Sequence, residues 1–116
     1  MARLRSDFWV AAHLRRCAID GAEAVLRRRG AAEAGAIFVT LDRLTGAASL
    51  YGPAPQSLLT EGAEDRRFTL VLAEASPIAI DERMRREVRF DPDLWWLEIA
   101  DREGRHFLEL AQDPAG

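Results

Sequence analysis

The sequence predicts an α+β domain, in which a mostly antiparallel sheet of about five to six strands carries two helices packed on one face. Three observations lead to this fold class. Short β-prone runs separated by turn residues recur along the chain, two segments have the apolar period of a helix, and 116 residues suffice for one core. We therefore expect a single domain over residues 1–116, with a flexible loop at 53–66 and a flexible tail at 112–116.

The first predicted element is a helix over residues 6–20. Ser6 is the expected N-cap, and Gly21 is expected to end the helix because glycine readily leaves the helical conformation. Apolar side chains separated by four and then three residues give this helix one face that can pack on a sheet. That face consists of Val10, Leu14 and Cys17.

Four predicted strands follow the first helix. Residues 22–30 favour a strand over a continued helix because Val25 is β-branched. The run at 36–42 is almost wholly apolar, which is typical of a central strand buried on both faces. A turn at 43–46, with a positive φ at Gly46, makes this strand half of a hairpin. The next two strands are predicted at 47–52 and 68–72.

A second helix and a final hairpin complete the predicted fold. Ser76 is the expected N-cap of this helix and Pro77 its first residue. Asp91 ends it, because a residue that precedes proline resists the helical conformation. The hairpin is then predicted from a strand at 94–100, a turn at 101–104 and a strand at 105–110.

The charged residues are unevenly distributed. All sixteen basic residues are arginine, a bias that a GC-rich genome explains. Residues 1–30 carry seven arginines and three acids, whereas the remainder carries nine arginines and sixteen acids. The overall net charge of −3 argues against general nucleic-acid binding, although the basic N-terminal region keeps it as a weaker alternative.

The sequence argues against a membrane protein and a disulfide-stabilised one. No apolar run approaches the roughly 20 residues of a membrane span, so we expect no membrane partner. The single Cys17 excludes an internal disulfide and suits a reducing compartment. We therefore expect a cytoplasmic protein.

Signatures of common catalytic and cofactor sites are absent from the sequence. It has no glycine-rich phosphate loop and no nucleophile elbow. His13, Cys17 and His106 lack the local spacing of metal ligands, so we expect no metal and no cofactor. We assign no catalytic residue.

The tryptophans are the clearest indication of a contact surface. Trp95 and Trp96 are adjacent on a strand and must face opposite sides of the sheet. One can fill the core, and the other needs a helix, a loop, a partner or a ligand to cover it. A half-exposed stripe of the first helix, formed by Trp9, His13 and Arg16, offers a second aromatic and cationic patch.

The densest basic run is Arg27-Arg28-Arg29. Strand alternation places Arg27 and Arg29 on one face and Arg28 on the other. A solvated edge strand protected by its charges explains this run, and binding of phosphate or an acidic partner is the alternative.

Three blocks together resemble a known family: RLRSDFWV with HLRRC, then YGPAPQS, then RFDPDLWWLEIADREGRHF. The sequence resembles the small alphaproteobacterial family catalogued as domain of unknown function 1491, over nearly the whole chain. This resemblance implies a bacterial, soluble, single-domain protein. It implies no activity, substrate, cofactor or catalytic residue.

The leading hypothesis is a non-enzymatic interaction or regulatory domain that acts through protein contacts, as a homodimer or with another protein. The alternative is a small enzyme or ligand-binding domain, with His13 or His106 as base and Arg16, Arg89 or Arg105 as clamps for a small anion. The candidate binding residues are Trp9, His13, Arg16, Arg28, Trp96, Arg105 and His106.

Overall fold

The computed structural model describes residues 4–55 and 66–111. Most of the loop expected at 53–66, and the whole tail at 112–116, therefore lie outside the described residues. The α+β prediction is confirmed, since the described residues form two helices and a five-stranded, mostly antiparallel sheet. The helices are α1 (Ser6–Ile19) and α2 (Pro77–Phe90), and the strands are β1 (Glu23–Arg28), β2 (Ile37–Asp42), β3 (Ala48–Pro53), β4 (Phe68–Ala75) and β5 (Trp95–Ala100).

The strand order is β1-β5-β2-β3-β4. Strand β5 lies between β1 and β2; it is antiparallel to β1 and parallel to β2. The pairs β2–β3 and β3–β4 are both antiparallel. The predicted final hairpin is wrong, because residues 105–110 form no strand beside β5. Both edges of β5 are already paired, so the segment after it continues to β4, where Leu110 makes one isolated bridge with Phe68.

The two helices cover opposite faces of the sheet. On β2 and β5, Ile37, Val39 and Leu97 belong to the core cluster that contains Val10 and Cys17 of α1. Phe38 belongs to a second cluster, which contains residues of α2. The expectation that both helices share one face therefore needs correction. The physical reason is that β2 and β5 are buried on both faces, so each face requires its own apolar cover.

Local signals place both helices to within a residue but mistake the role of Ser6. The Ser76 hydroxyl accepts a hydrogen bond from the Ala79 backbone N–H at 3.1 Å, with proline as the first helical residue. Ser6, in contrast, is the first residue of α1 and not its cap. It is buried, and its hydroxyl donates to the Gly35 carbonyl at 2.7 Å. The serine that was expected to cap a helix end instead ties α1 to the β1–β2 connection.

Gly35 allows the β1–β2 connection to lie directly on the chain that enters β5. A Cβ atom at this position would be 2.4 Å from the Asp93 carbonyl oxygen and 2.9 Å from Cδ1 of Trp95. Two backbone hydrogen bonds hold the approach, from Ala31 N–H to Asp93 O at 2.8 Å and from Trp95 N–H to Ala36 O at 2.7 Å. Only glycine fits this position without displacing its neighbours.

Candidate functional site

The two adjacent tryptophans face opposite sides of the sheet, as the sequence predicts. Trp95 is 1% exposed in the core beneath α1, and its indole N–H donates to the Ala31 carbonyl at 2.8 Å. Trp96 is partly buried on the α2 side, where its indole N–H donates to the Thr40 hydroxyl at 2.8 Å. Both indole donors are therefore satisfied, and α2 together with an arginine side chain covers Trp96.

That arginine is Arg27, which a β-bulge places over Trp96. The register of β1 against β5 shifts between Leu26 and Arg28, so one extra residue enters the strand there. The Arg27 guanidinium carbon lies 4.2 Å from the Trp96 ring centroid, whereas Arg29 lies over Trp95 at 5.4 Å. The prediction that Arg27 and Arg29 share a face is therefore wrong, because the bulge interrupts the alternation.

A groove of about 460 Å³ opens between the edge strand β1 and helix α2. Its floor is apolar and its rim is charged, with arginines from both elements. We call it the arginine groove; it is lined by Arg27, Arg28, Asp81, Met84, Arg85, Val88 and Trp96.

The three groove arginines differ in how far their charge is neutralised. Arg27 pairs with Glu98 at 2.6 Å and with Asp81 at 3.8 Å. Arg28 donates from Nη2 to the Pro92 carbonyl at 2.8 Å, while its buried Nε has no acceptor among the described residues. Arg85 has no carboxylate within 4.0 Å in the described part of the chain. Counting the residues that the structure describes, one groove guanidinium is thus shared by two carboxylates and two guanidinium groups have no carboxylate partner.

On the opposite face, His13 and His106 form an internal connection. The imidazole of His13 is stacked on Trp9 with ring centroids 4.5 Å apart, and its Nε2 donates to the His106 carbonyl at 2.9 Å. His106 accepts the Leu108 backbone N–H on Nδ1 at 2.9 Å. Burial lowers the pKa of both histidines. The stripe expected to be half exposed is therefore packed at His13, which is 6% exposed.

Arg105 is held by the protein itself. Its Nε and Nη2 donate to the two carboxylate oxygens of Asp101 at 3.0 and 2.9 Å, and Nη1 donates to the Asp20 carbonyl at 2.9 Å. These hydrogen bonds lower the pKa of Asp101 to about 2. Arg105 thus connects α1 to the turn after β5, and its charge is already neutralised.

Arg16 lies at the border between this packed region and the outer face of α1. Its guanidinium carbon is 5.1 Å from the centroid of the Phe107 ring, and its side chain is mostly exposed. Arg89 lines a different groove, which lies between α2 and Leu72 of the edge strand β4. Within residues 4–55 and 66–111, the structure does not bring either histidine into the grooves that contain Arg28 or Arg89.

Sequence reasoning missed the outer face of α1. Phe8 is 56% exposed and Ile19 is 76% exposed, on the side of the helix opposite the buried Val10 and Cys17. The sequence does contain a signal for this face, because α1 has apolar residues on all of its sides and a helix of that kind is typically buried. A shallow groove of about 400 Å³ lies on this face, lined by Ala11, Ala12, Arg15, Arg16 and Ile19.

Other common kinds of site find no support in the described residues. No three of their histidine, cysteine, aspartate and glutamate side chains come together as metal ligands. Cys17 is fully buried, and burial raises the pKa of its thiol, which disfavours the reactive thiolate. Neither of the two helices is long and apolar enough to cross a membrane.

Comparison with known proteins identifies relatives but no activity. The model of the family described as "Protein of unknown function (DUF1491)" matches residues 4–109. No curated protein matches the chain. A crystal structure of a DUF1491 family protein from Caulobacter crescentus is 38% identical with a TM-score of 0.78, covering 95% of this chain and 98% of the other. A solution structure of a protein from A. tumefaciens is 40% identical with a TM-score of 0.82, covering 97% and 98% of the two chains.

Proposed function

The chain belongs to the DUF1491 family of proteins of unknown function, and from its surface we propose that it is a small non-enzymatic interaction domain that pairs with a second copy of itself. The contact is the outer face of α1. We assign the protein to the cytoplasm in the same proposal, because the free, buried Cys17 suits a reducing compartment.

The observation that carries the proposal is the exposed apolar stripe of α1. Phe8 remains more than half exposed even though the Arg5 guanidinium carbon lies 5.1 Å from its ring centroid. A phenylalanine and an isoleucine exposed on one helix face are costly to leave in water. The stripe follows the spacing of a helix–helix contact, at i, i+4, i+7 and i+11: Phe8, Ala12, Arg15 and Ile19.

The same face is complementary to itself. If two α1 helices cross antiparallel at Ala11 and Ala12, these small side chains allow the backbones to approach closely. Phe8 of each copy then faces the hollow at Arg15 and Ile19 of the other, where Arg15 can lie over the ring. A symmetric dimer uses one patch twice, as this arrangement does.

The helix dipoles support the antiparallel direction. The amino end of each α1 then lies beside the carboxyl end of the other, and Arg16 lies in the last turn of the helix. Of the residues expected at an interface, Arg16 belongs to this surface. Trp9 and His13 instead pack beneath the helix, so Phe8 and Ile19 replace them as the proposed anchors.

The test is the mass of the protein in solution as a function of concentration. We expect light scattering after size exclusion to show a dimer that dissociates on dilution. Phe8→Ser should weaken dimerisation by about 30-fold or more, the effect of losing a central aromatic anchor. A monomer at high micromolar concentration would overturn the proposal.

Phe90→Ser is the matched control. Phe90 is 88% exposed at the end of α2, on the other face of the sheet, and Phe90→Ser removes the same side chain with at least as much exposed apolar surface. It should leave the dimer unchanged. Equal weakening by both substitutions would mean that association is nonspecific and would count against the α1 interface.

A further inference from the structure

We infer that the arginine groove binds a small organic phosphate, that is, a phosphate monoester with an aromatic or apolar body. The groove lies on the α2 side of the sheet, away from the outer face of α1. This inference is therefore independent of the proposed dimer and goes beyond it.

The floor of the groove suits the body of such a ligand. Val88 of α2 and Trp96 of β5, both partly buried, meet there above the buried Met84, which provides an apolar surface beside an aromatic ring. The volume of about 460 Å³ lies within the range of roughly 300–1,000 Å³ that is usual for small-molecule pockets. An inorganic ion alone would leave this surface unused.

The rim suits the phosphate. Glu98 and Asp81 both pair with Arg27, so the two carboxylates near the groove are engaged by that one guanidinium. Arg28 and Arg85 have no carboxylate partner within the described residues, although the three arginines of the groove together exceed Asp81 and Glu98 by only one positive charge. Arginine forks match phosphate oxygens, which accept several hydrogen bonds at once.

Arg28 is prepared for an anion before one binds. Its Nη2 is held by the Pro92 carbonyl at 2.8 Å, so its guanidinium plane is oriented by the backbone just before β5. Its Nε is buried and has no acceptor among the described residues, which is costly for a charged donor. A shift of the Arg28 side chain toward the groove would bring this donor to a phosphate oxygen and remove the cost.

A single phosphate monoester fits the charges better than a carboxylate or a polyanion. A monoester carries a charge of about −1.5 to −2 near neutral pH, and its oxygens can accept hydrogen bonds from both Arg28 and Arg85, which have no carboxylate partner among the described residues. A long polyanion would meet a protein of net charge −3 beyond the groove. Asp81 at the rim would also repel any second phosphate near it.

The experiment follows the Trp96 indole N–H and the Arg28 Nε–H by proton–nitrogen NMR while phenyl phosphate is added. We expect saturable shifts at both reporters. Inorganic phosphate and phenol supply the two halves of the probe, and each should bind at least about tenfold more weakly. Absence of saturable shifts with phenyl phosphate would overturn the inference, as would equally tight binding of inorganic phosphate.

Two substitutions at neighbouring arginines distinguish specific binding in the groove from nonspecific attraction of the anion to a basic surface. Arg85→Gln removes a charge at the rim and should weaken binding by about tenfold or more, since hydrogen bonds to charged groups are the strong ones. Arg86→Gln is the matched control, because Arg86 is also exposed on α2 but lines only the neighbouring groove, whereas Arg85 borders both grooves. Equal weakening by both variants would show diffuse attraction and overturn the inference.

Discussion

The Nε2 atom of His13 donates a hydrogen bond to the backbone carbonyl of His106, 2.9 Å away and 93 residues later in the chain. This bond joins the middle of α1 to the segment that follows β5. The ring of His106 is itself tilted against Tyr51 of β3, with centroids 5.0 Å apart. The two histidines, weighed from the sequence as candidate bases, thus serve here to hold three parts of the fold together.

His13→Ala should lower the free energy of unfolding by about 2 kcal/mol. The substitution removes the ring that stacks on Trp9 and leaves the His106 carbonyl without its donor in a part-buried place. Urea unfolding of the two proteins measures the difference. Arg86→Ala, an exposed change on α2 and away from the proposed dimer contact, should stay within about 0.5 kcal/mol of the unmodified protein. Comparable losses in both variants would contradict this role for His13.

Stability should fall as the pH is lowered from about 7 to about 5. Burial lowers the pKa of His13 and His106 in the folded protein, whereas the unfolded chain binds protons near the ordinary value of about 6.5. The unfolded state therefore takes up protons first, so the full stability is present above that value and decreases below it. NMR titration of the imidazoles, with urea unfolding at both pH values, tests this. A folded pKa above the ordinary value for both rings would reverse the sign.

Asp101 should act in a separate, more acidic window. Its pKa is about 2 in the folded protein, against 3.8 ordinarily, so its stabilising contribution is present above 3.8 and is lost as the pH falls toward 2. Asp101→Asn should be less stable than the unmodified protein at neutral pH, with a difference that shrinks through this window. Glu103→Gln is the control, because Glu103 is exposed and meets Arg105 only at 3.3 Å. A difference independent of acid pH would contradict the assignment.

Gly35→Ala should destabilise the protein by about 3 kcal/mol, at the upper end of the cost of overpacking. The new methyl group would meet the Asp93 carbonyl, the Ala31 carbonyl and the Trp95 ring, all within 3.0 Å. Gly46→Ala provides the comparison, because nothing lies within 4 Å there and only its φ of +96° opposes a side chain. Thermal and urea unfolding should rank Gly35→Ala as the more damaging change; the opposite order would remove the packing explanation.

Local patterns in the sequence were sufficient for the helices and the central strand. The N-cap at Ser76 and the apolar run of β2 depend on neighbours within a few residues, and both are confirmed. The placement of β5 between β1 and β2 was not predictable in this way. The position of β5 depends on pairing with strands that are distant in the sequence. The turn at 101–104, considered alone, favours a hairpin.

The candidate surfaces escaped prediction for a similar reason. One inserted residue at the bulge moved Arg27 onto Trp96 and assembled the arginine groove, although the run of three arginines looks regular in the sequence. His13 seemed exposed because the segment that covers it comes from the other end of the chain. Strand alternation and helical periodicity depend on neighbouring residues, so they do not predict a surface that is assembled from segments distant in the sequence.

The position of β5 has a consequence for how the chain folds. The first residue of β1, Glu23, pairs with Ala100, the last residue of β5, so β1 has no sheet partner until nearly all the described chain has been made. During synthesis the β2–β3–β4 meander can assemble first, with the apolar edge of β2 open. Pairing strands that are distant in the sequence is slow, because the loop between them loses conformational entropy before the stabilising contacts form. Arrival of β5 is then the event that shields that edge, and a chain delayed before this step would expose its most aggregation-prone strand.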